Sequence, residues 1–195
     1  MKKLLVIAVA LASVNASATR ARLNSLNNSR HVIDTQSVYR NPADMFYIGG
    51  DYVNLESGNT NAAGQNDGAE GMVTRTMGAS KMGLSLGHDS TLSLGLRGAS
   101  TIAPIVLQQN PVELTYGMKA GDAAFAGTLV YSNYASKTGT NEKENSLGIR
   151  TGMRMGAMDA DLAIGLGNTY QNDTAGKFKG TLGVVGGFGM WFDTL

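Results

Sequence analysis

The chain has no cysteine, which removes disulfide frameworks, thiolate metal centres and cysteine nucleophiles from consideration. Proline is scarce, with Pro42, Pro104 and Pro111 the only three, so there is no proline-rich linker. Charge is scarce as well, at 16% of residues against roughly 25% in soluble domains. The 16 basic and 15 acidic residues nearly cancel, so no nucleic-acid partner and no highly charged substrate is expected. No apolar run after the N-terminus is long enough for a membrane-spanning helix, which needs about 20 residues. Histidine occurs only at positions 31 and 88, and neither has an acidic residue at a metal-ligand spacing such as i+3 or i+4 together with a second histidine. His88-Asp89-Ser90 reads as a tight turn whose side chains diverge, and both histidines read as solvated. Serine-hydrolase, phosphate-loop and dinucleotide fingerprints are missing. These absences together predict no catalytic site, no cofactor and no metal.

What is present is glycine, 26 residues of it, in a chain that is 43% hydrophobic. The first 18 residues read as an export signal: Lys2 and Lys3, an apolar run from Leu4 to Ala12, and the small-x-small site Ala16-Ser17-Ala18. Residues 19–45 follow no strand pattern and read as a periplasmic lead or a partial plug. From residue 46 onward, apolar and polar residues alternate with the period of two that marks strands. Val112, Leu114, Tyr116 and Met118 share one face of a strand, and Glu113, Thr115, Gly117 and Lys119 share the other. Met82, Leu84 and Leu86 oppose Lys81, Gly83 and Ser85 in the same way. So do Leu147, Ile149, Met153 and Met155 against Gly148, Arg150, Gly152 and Arg154.

Eight strands are expected, near residues 46–56, 69–87, 91–100, 112–119, 123–133, 145–155, 161–170 and 179–192. The alternation slips near Gly78, which calls for a bulge there or for an extra hairpin and ten strands. The connections alternate in length: 58–68, 101–111, 135–144 and 171–177 are long and polar, whereas 88–90, 120–122 and 156–160 are short. An up-and-down meander with long loops at one end and tight turns at the other is the pattern of an all-β, eight-stranded antiparallel transmembrane barrel over residues 46–195. Long loops would face outward, and both termini would lie on the inner side. Tyr131, Tyr134 and Tyr170 fall at the long-loop ends of their strands. Phe125, Trp191 and Phe192 fall at the other end, with Phe46 and Tyr47. Two aromatic belts fit the two water–lipid interfaces.

These features resemble the small bacterial outer-membrane barrels of OmpA-, OmpX- or OmpW-like architecture. Gly187-Phe188-Gly189-Met190-Trp191-Phe192 is similar to the assembly signal on the last strand of such barrels, followed here by Asp193-Thr194-Leu195. Asn41-Pro42-Ala43 resembles an element near the mature N-terminus of fatty-acid-transporter-like barrels and of some predatory-bacterium major outer-membrane proteins. The resemblance implies Sec-dependent export, passage through periplasmic chaperones and the barrel-assembly machinery, and residence in outer-membrane lipid. The inward row would carry Lys81, Arg97, Glu113, Lys119, Arg150 and Arg154. That row reads as a salt-bridge network filling a narrow lumen, its basic excess favouring anions in any leak. A structural or surface role follows. The alternatives are a pore or transporter for small or apolar molecules, in ten strands or an oligomer, and an adhesion protein acting through its outer loops.

Overall fold

The computed structural model describes residues 29–59, 68–88, 111–136, 141–173, 176–180 and 182–192. Among the described residues nine strands form one antiparallel sheet: β1 (Tyr52–Asn59), β2 (Gly68–Met77), β3 (Ser80–Leu86), β4 (Val112–Ala120), β5 (Ala123–Ala135), β6 (Lys143–Met155), β7 (Met158–Asn172), β8 (Gly176–Gly180) and β9 (Gly183–Met190). Each strand pairs with its neighbour in sequence from β1 to β8, and β9 also pairs with β7. β8 takes Asn168–Asn172 of β7, and β9 takes Met158–Gly165. The two are therefore successive halves of one broken run, and the sheet is an up-and-down meander. Among the described residues no ladder joins β1 to β9, so the sheet is not closed.

Glycine makes the tight turns. Gly78-Ala79, Gly121-Asp122 and Gly156-Ala157 connect β2–β3, β4–β5 and β6–β7. Their glycines have φ of +63°, +60° and +53°, while the residue after each does not enter the positive region. Glycine at the first turn position is the type II′ arrangement, whose twist matches that of the flanking strands. All three turns lie at one end of the sheet, and the strand ends that lead into the longer connections lie at the other.

Three sequence expectations change. The expected strand 69–87 is a hairpin, because Met77 pairs with Ser80 across Gly78-Ala79 and the bulge is not needed. Gly87 N–H donates to the Pro111 carbonyl at 2.9 Å, extending the β3–β4 ladder, so His88 sits at the long-connection end and not in a tight turn. The first strand begins at Tyr52 and not near Phe46. Residues Pro42–Phe46 instead form a 3-10 turn, with Asn41 Oδ1 accepting from the Ala43 N–H at 3.1 Å. The expected export signal, the expected strand 91–100 with Arg97, and most of the expected loops 58–68 and 101–111 lie outside the described residues.

The two faces of the sheet are chemically opposite. One continuous rung of paired residues on the bare face crosses the whole sheet: Val53, Val73, Leu84, Leu114, Leu129, Ile149, Ile164 and Val184. Every member is aliphatic. A rung toward the turns reads Met118, Phe125, Met153, Ala160 and Phe188. The other face carries Glu70, Lys81, Ser85, Glu113, Thr115, Thr128, Ser132, Glu144, Arg150, Arg154 and Asp159, all of them buried.

Gly78→Val places a β-branched side chain in open space at positive φ, so its cost is purely conformational, about 1–2 kcal/mol. Denaturant midpoints should show that loss for Gly78→Val and little change for Gly127→Val, whose glycine lies on the bare face without positive φ.

Candidate functional site

The polar face is covered by residues 29–50. Its lower rung runs Lys81, Gly117, Ala126, Gly152, Asp161 and Gly187 across β3 to β9. Small residues at the centre of that rung leave a shelf, and the segment fills it. The Sδ-bound methyl of Met45 lies 2.8 Å from where a Gly117 Cβ would be. A Cβ on Gly152 would run into the Asn41 amide and the Pro42 ring, and one on Gly187 into the Arg30 guanidinium. The glycines are thus part of the docking surface. Val38, Tyr39, Ala43 and Met45 pack there with Met72, Ala124 and Ala126 as the main apolar cluster.

Polar contacts fix the segment at each step. Asn41 Nδ2 donates to the carbonyls of Met153 at 3.1 Å and Ala160 at 3.4 Å, in adjacent strands. Lys81 Nζ donates to the carbonyls of Met45, Ile48 and Gly50 at 2.8, 3.2 and 2.6 Å. Three carbonyls satisfy the ammonium's three donors without a carboxylate. Arg154 Nε donates to Asp44 Oδ1 at 2.7 Å, and the Arg154 guanidinium also lies over the rings of Tyr47 and Trp191. Burial holds the Asp44 carboxyl above its ordinary range, opposed by hydrogen bonding to Ser37 and by Arg154. Arg30 bridges Asp159 and Asp161.

Toward the long-connection end, Gln36 Nε2 donates to Glu56 Oε2 at 3.0 Å and also to Glu70. His88 Nδ1 is 2.8 Å from Glu70 Oε2, and its ring stacks on Tyr39 at 3.5 Å with an interplanar angle of 8°. Burial, reinforced by Glu70, pushes the Tyr39 hydroxyl far above its usual range. Glu113 is ion-paired with Arg150. Thr115 and Thr128 share a hydrogen bond of 2.8 Å, and Ser132 donates to Glu144 at 2.8 Å.

Of the residues expected in the inward row, Lys81, Glu113, Arg150 and Arg154 lie on the covered face and are buried. Lys119 has the same parity but is exposed, its ammonium over the Tyr47 ring. Arg97 lies outside the described residues. Among the described residues this face carries no basic excess, because Glu56, Glu70, Glu144, Asp159 and Asp161 share it. Their alternation was legible, but these residues lie near strand ends, where the pattern was not extended. His88 is buried and paired, contrary to its reading as solvated; His31 is exposed, its ring edge-on to Trp191 at 4.8 Å.

Among the expected belt aromatics, Phe125 and Tyr131 stand exposed on the bare face and Phe192 is exposed beyond β9. Trp191 is half-buried against His31 and Arg154. Tyr170 is buried on the covered face. A bulge at Leu166 between the Leu147↔Gly167 and Gly148↔Gly165 pairs turns it inward, since one inserted residue reverses every later side chain. Tyr134 pairs with the buried Glu144 and so has the covered-face parity. Among the described residues no group of three metal-binding side chains occurs and no helix is long and apolar enough to cross a membrane. No known family, curated protein or solved structure matches the chain.

Arg154→Leu leaves Asp44 buried without its ion pair and should cost about 3–5 kcal/mol. Because the Asp44 pKa is raised in the folded state, its ionisation weighs against folding. That penalty grows as pH rises above the ordinary value of 3.8 and fades as pH falls toward it. The stability gap between Arg154→Leu and Arg154→Leu/Asp44→Asn should therefore be wide at pH 7 and narrow near pH 4, read from denaturant midpoints.

Proposed function

We propose that this chain is an integral outer-membrane β-barrel protein with a structural or surface role, its interior blocked by its own residues 29–50. The observation that carries the reading is the aliphatic rung on the bare face, from Val53 on β1 to Val184 on β9. A sheet in water turns such a face to its core and sends charge outward. Here Glu113, Arg150, Arg154 and Asp159 are hidden while Leu84, Leu114 and Leu129 are bare. Hydrocarbon is the solvent in which that arrangement is favourable. On β6 the bare-face row from Leu147 to Met155 is apolar except for Thr151 and runs roughly 27 Å along the strand at about 3.4 Å per residue. With strand tilt, that length suits an apolar band about 25 Å tall.

The docked segment favours a closed interior over an open pore. Its ion pairs and the Asn41–Gly152 contact fill the shelf where a channel would run. The exported precursor would reach the outer membrane by the Sec route and the barrel-assembly machinery, and its lipid contacts would be the bare face. No catalytic role is assigned to the buried polar groups.

Two measurements test this reading. Leu114→Arg should cost about 2–4 kcal/mol in folding into lipid vesicles if Leu114 lies near the bilayer midplane; a cost near zero would place that face in water. In planar bilayers the full chain should give no steady conductance. Gly152→Val, which forces Asn41 and Pro42 off the shelf, should give measurable current and faster protease cleavage after Arg30 or Arg40. Steady current from the unmodified chain would instead favour the transporter alternative.

A further inference from the structure

Among the described residues the sheet ends in two edges without a strand partner, β1 and β9. We infer that these edges pair with the opposite edges of a second copy, so that two chains close one ring; this rests on the membrane reading above. Unpaired backbone groups are not tolerated against hydrocarbon, so each edge needs a partner. Closure of one chain on itself is opposed by what lies inside. A barrel of about eight strands has an interior just wide enough for its own inward side chains or one small ligand. Here the interior face carries its own buried Glu113, Arg150 and Arg154 and, in addition, residues 29–50 with two 3-10 turns. That segment is anchored near both edges. Arg30 occupies the space over Gly187 of β9, and Gln36 holds Glu56 of β1.

The edges also carry the most exposed apolar surface. Val53 and Leu55 on β1 are 70% and 75% exposed, and Phe188 on β9 is 65%, against 49% for Leu114 and 47% for Leu129 in mid-sheet. Val185 pairs with Ala163 and so has covered-face parity, yet it is 56% exposed. The interior is therefore open beside β9. β9 itself (GVVGGFGM) has no charge and no proline, the usual guards of an edge meant to stay free. β1 and β9 run in opposite directions through the meander. Two copies in the same orientation, related by a twofold axis along the membrane normal, can thus form two antiparallel β1–β9 seams. With β8 and β9 as one run, the ring has roughly sixteen runs, a size with room for both segments.

The absence of cysteine makes the test clean. Val53→Cys is combined in turn with Val184→Cys, Gly186→Cys and Phe188→Cys, all on the bare face, so that several registers are sampled. The full chain is folded into phosphatidylcholine vesicles and mildly oxidised. Val53→Cys with Gly121→Cys, far from either seam, serves as the control. The expected result is a thiol-reducible species of twice the chain mass in at least one register but not in the control. The unsubstituted protein should show the mass of two copies by native mass spectrometry from detergent. A disulfide within one copy, with a single-chain mass, means self-closure and overturns the inference. No disulfide in any register together with a single-chain mass overturns it as well. Flotation of the same vesicles separates the two readings: a linked pair that fails to float keeps the edge pairing and removes the membrane, whereas an unlinked single chain that floats removes only the pairing.

Discussion

Charge hidden inside must be paired, and the rest of this structure depends on how that is done. Arg154 reaches Asp44, Arg150 reaches Glu113, Arg30 reaches Asp159 and Asp161, and Lys81 finds three backbone carbonyls. Two of these four arrangements join the sheet to a carboxylate or guanidinium on residues 29–50, and the Lys81 arrangement joins it to that segment's backbone. Without the segment, Arg154, Asp159 and Lys81 would lose partners in a poorly hydrated place, where an uncompensated charge is costly. The segment is therefore as much a part of the fold as any strand.

Glycine serves two separate needs in the same chain. At Gly78, Gly121 and Gly156 it supplies the positive φ of tight hairpin turns. At Gly117, Gly152 and Gly187 it supplies the missing Cβ that lets Met45, Asn41 and Arg30 approach the sheet. The second use explains why the polar face is so rich in glycine without any turn there. A barrel filled only by its own side chains has no need of such hollows.

The same inversion connects structure to the proposed role. An aliphatic bare face and a charged covered face set opposite demands on solvent, and a membrane meets both. On the proposed reading, the interior contacts decide what the protein lets through. A segment held by Asn41 across β6 and β7 and by Lys81 from β3 would then block such a route at its centre. The unpaired edges pose the remaining demand, which a second copy would satisfy.

Much of this was written locally. Period-two alternation by itself determined which way Leu114, Glu113, Leu129 and Arg150 point, because neighbouring strand residues must face opposite sides. Polar spacing determined the alternation of long and short connections, and Gly121 and Gly156 marked two of the three turns. The all-β antiparallel class followed from these. What required tertiary structure were the choices that local pattern leaves degenerate. Whether Gly78 bulges or turns depends on the β2–β3 ladder that closes across it, from Met77 with Ser80 out to Gly71 with Leu86. Whether Tyr170 faces out or in depends on one extra residue at Leu166, which only the partner strand reveals. His88 looked solvated because its partners, Glu70 and Tyr39, come from distant parts of the chain. Residues 29–45 carry no repeating pattern, since their conformation is set by the shelf beneath them and not by their own periodicity. Side-chain direction is a property of a few adjacent residues; docking, register and edge closure are properties of pairs far apart in sequence, and only folding brings those pairs together.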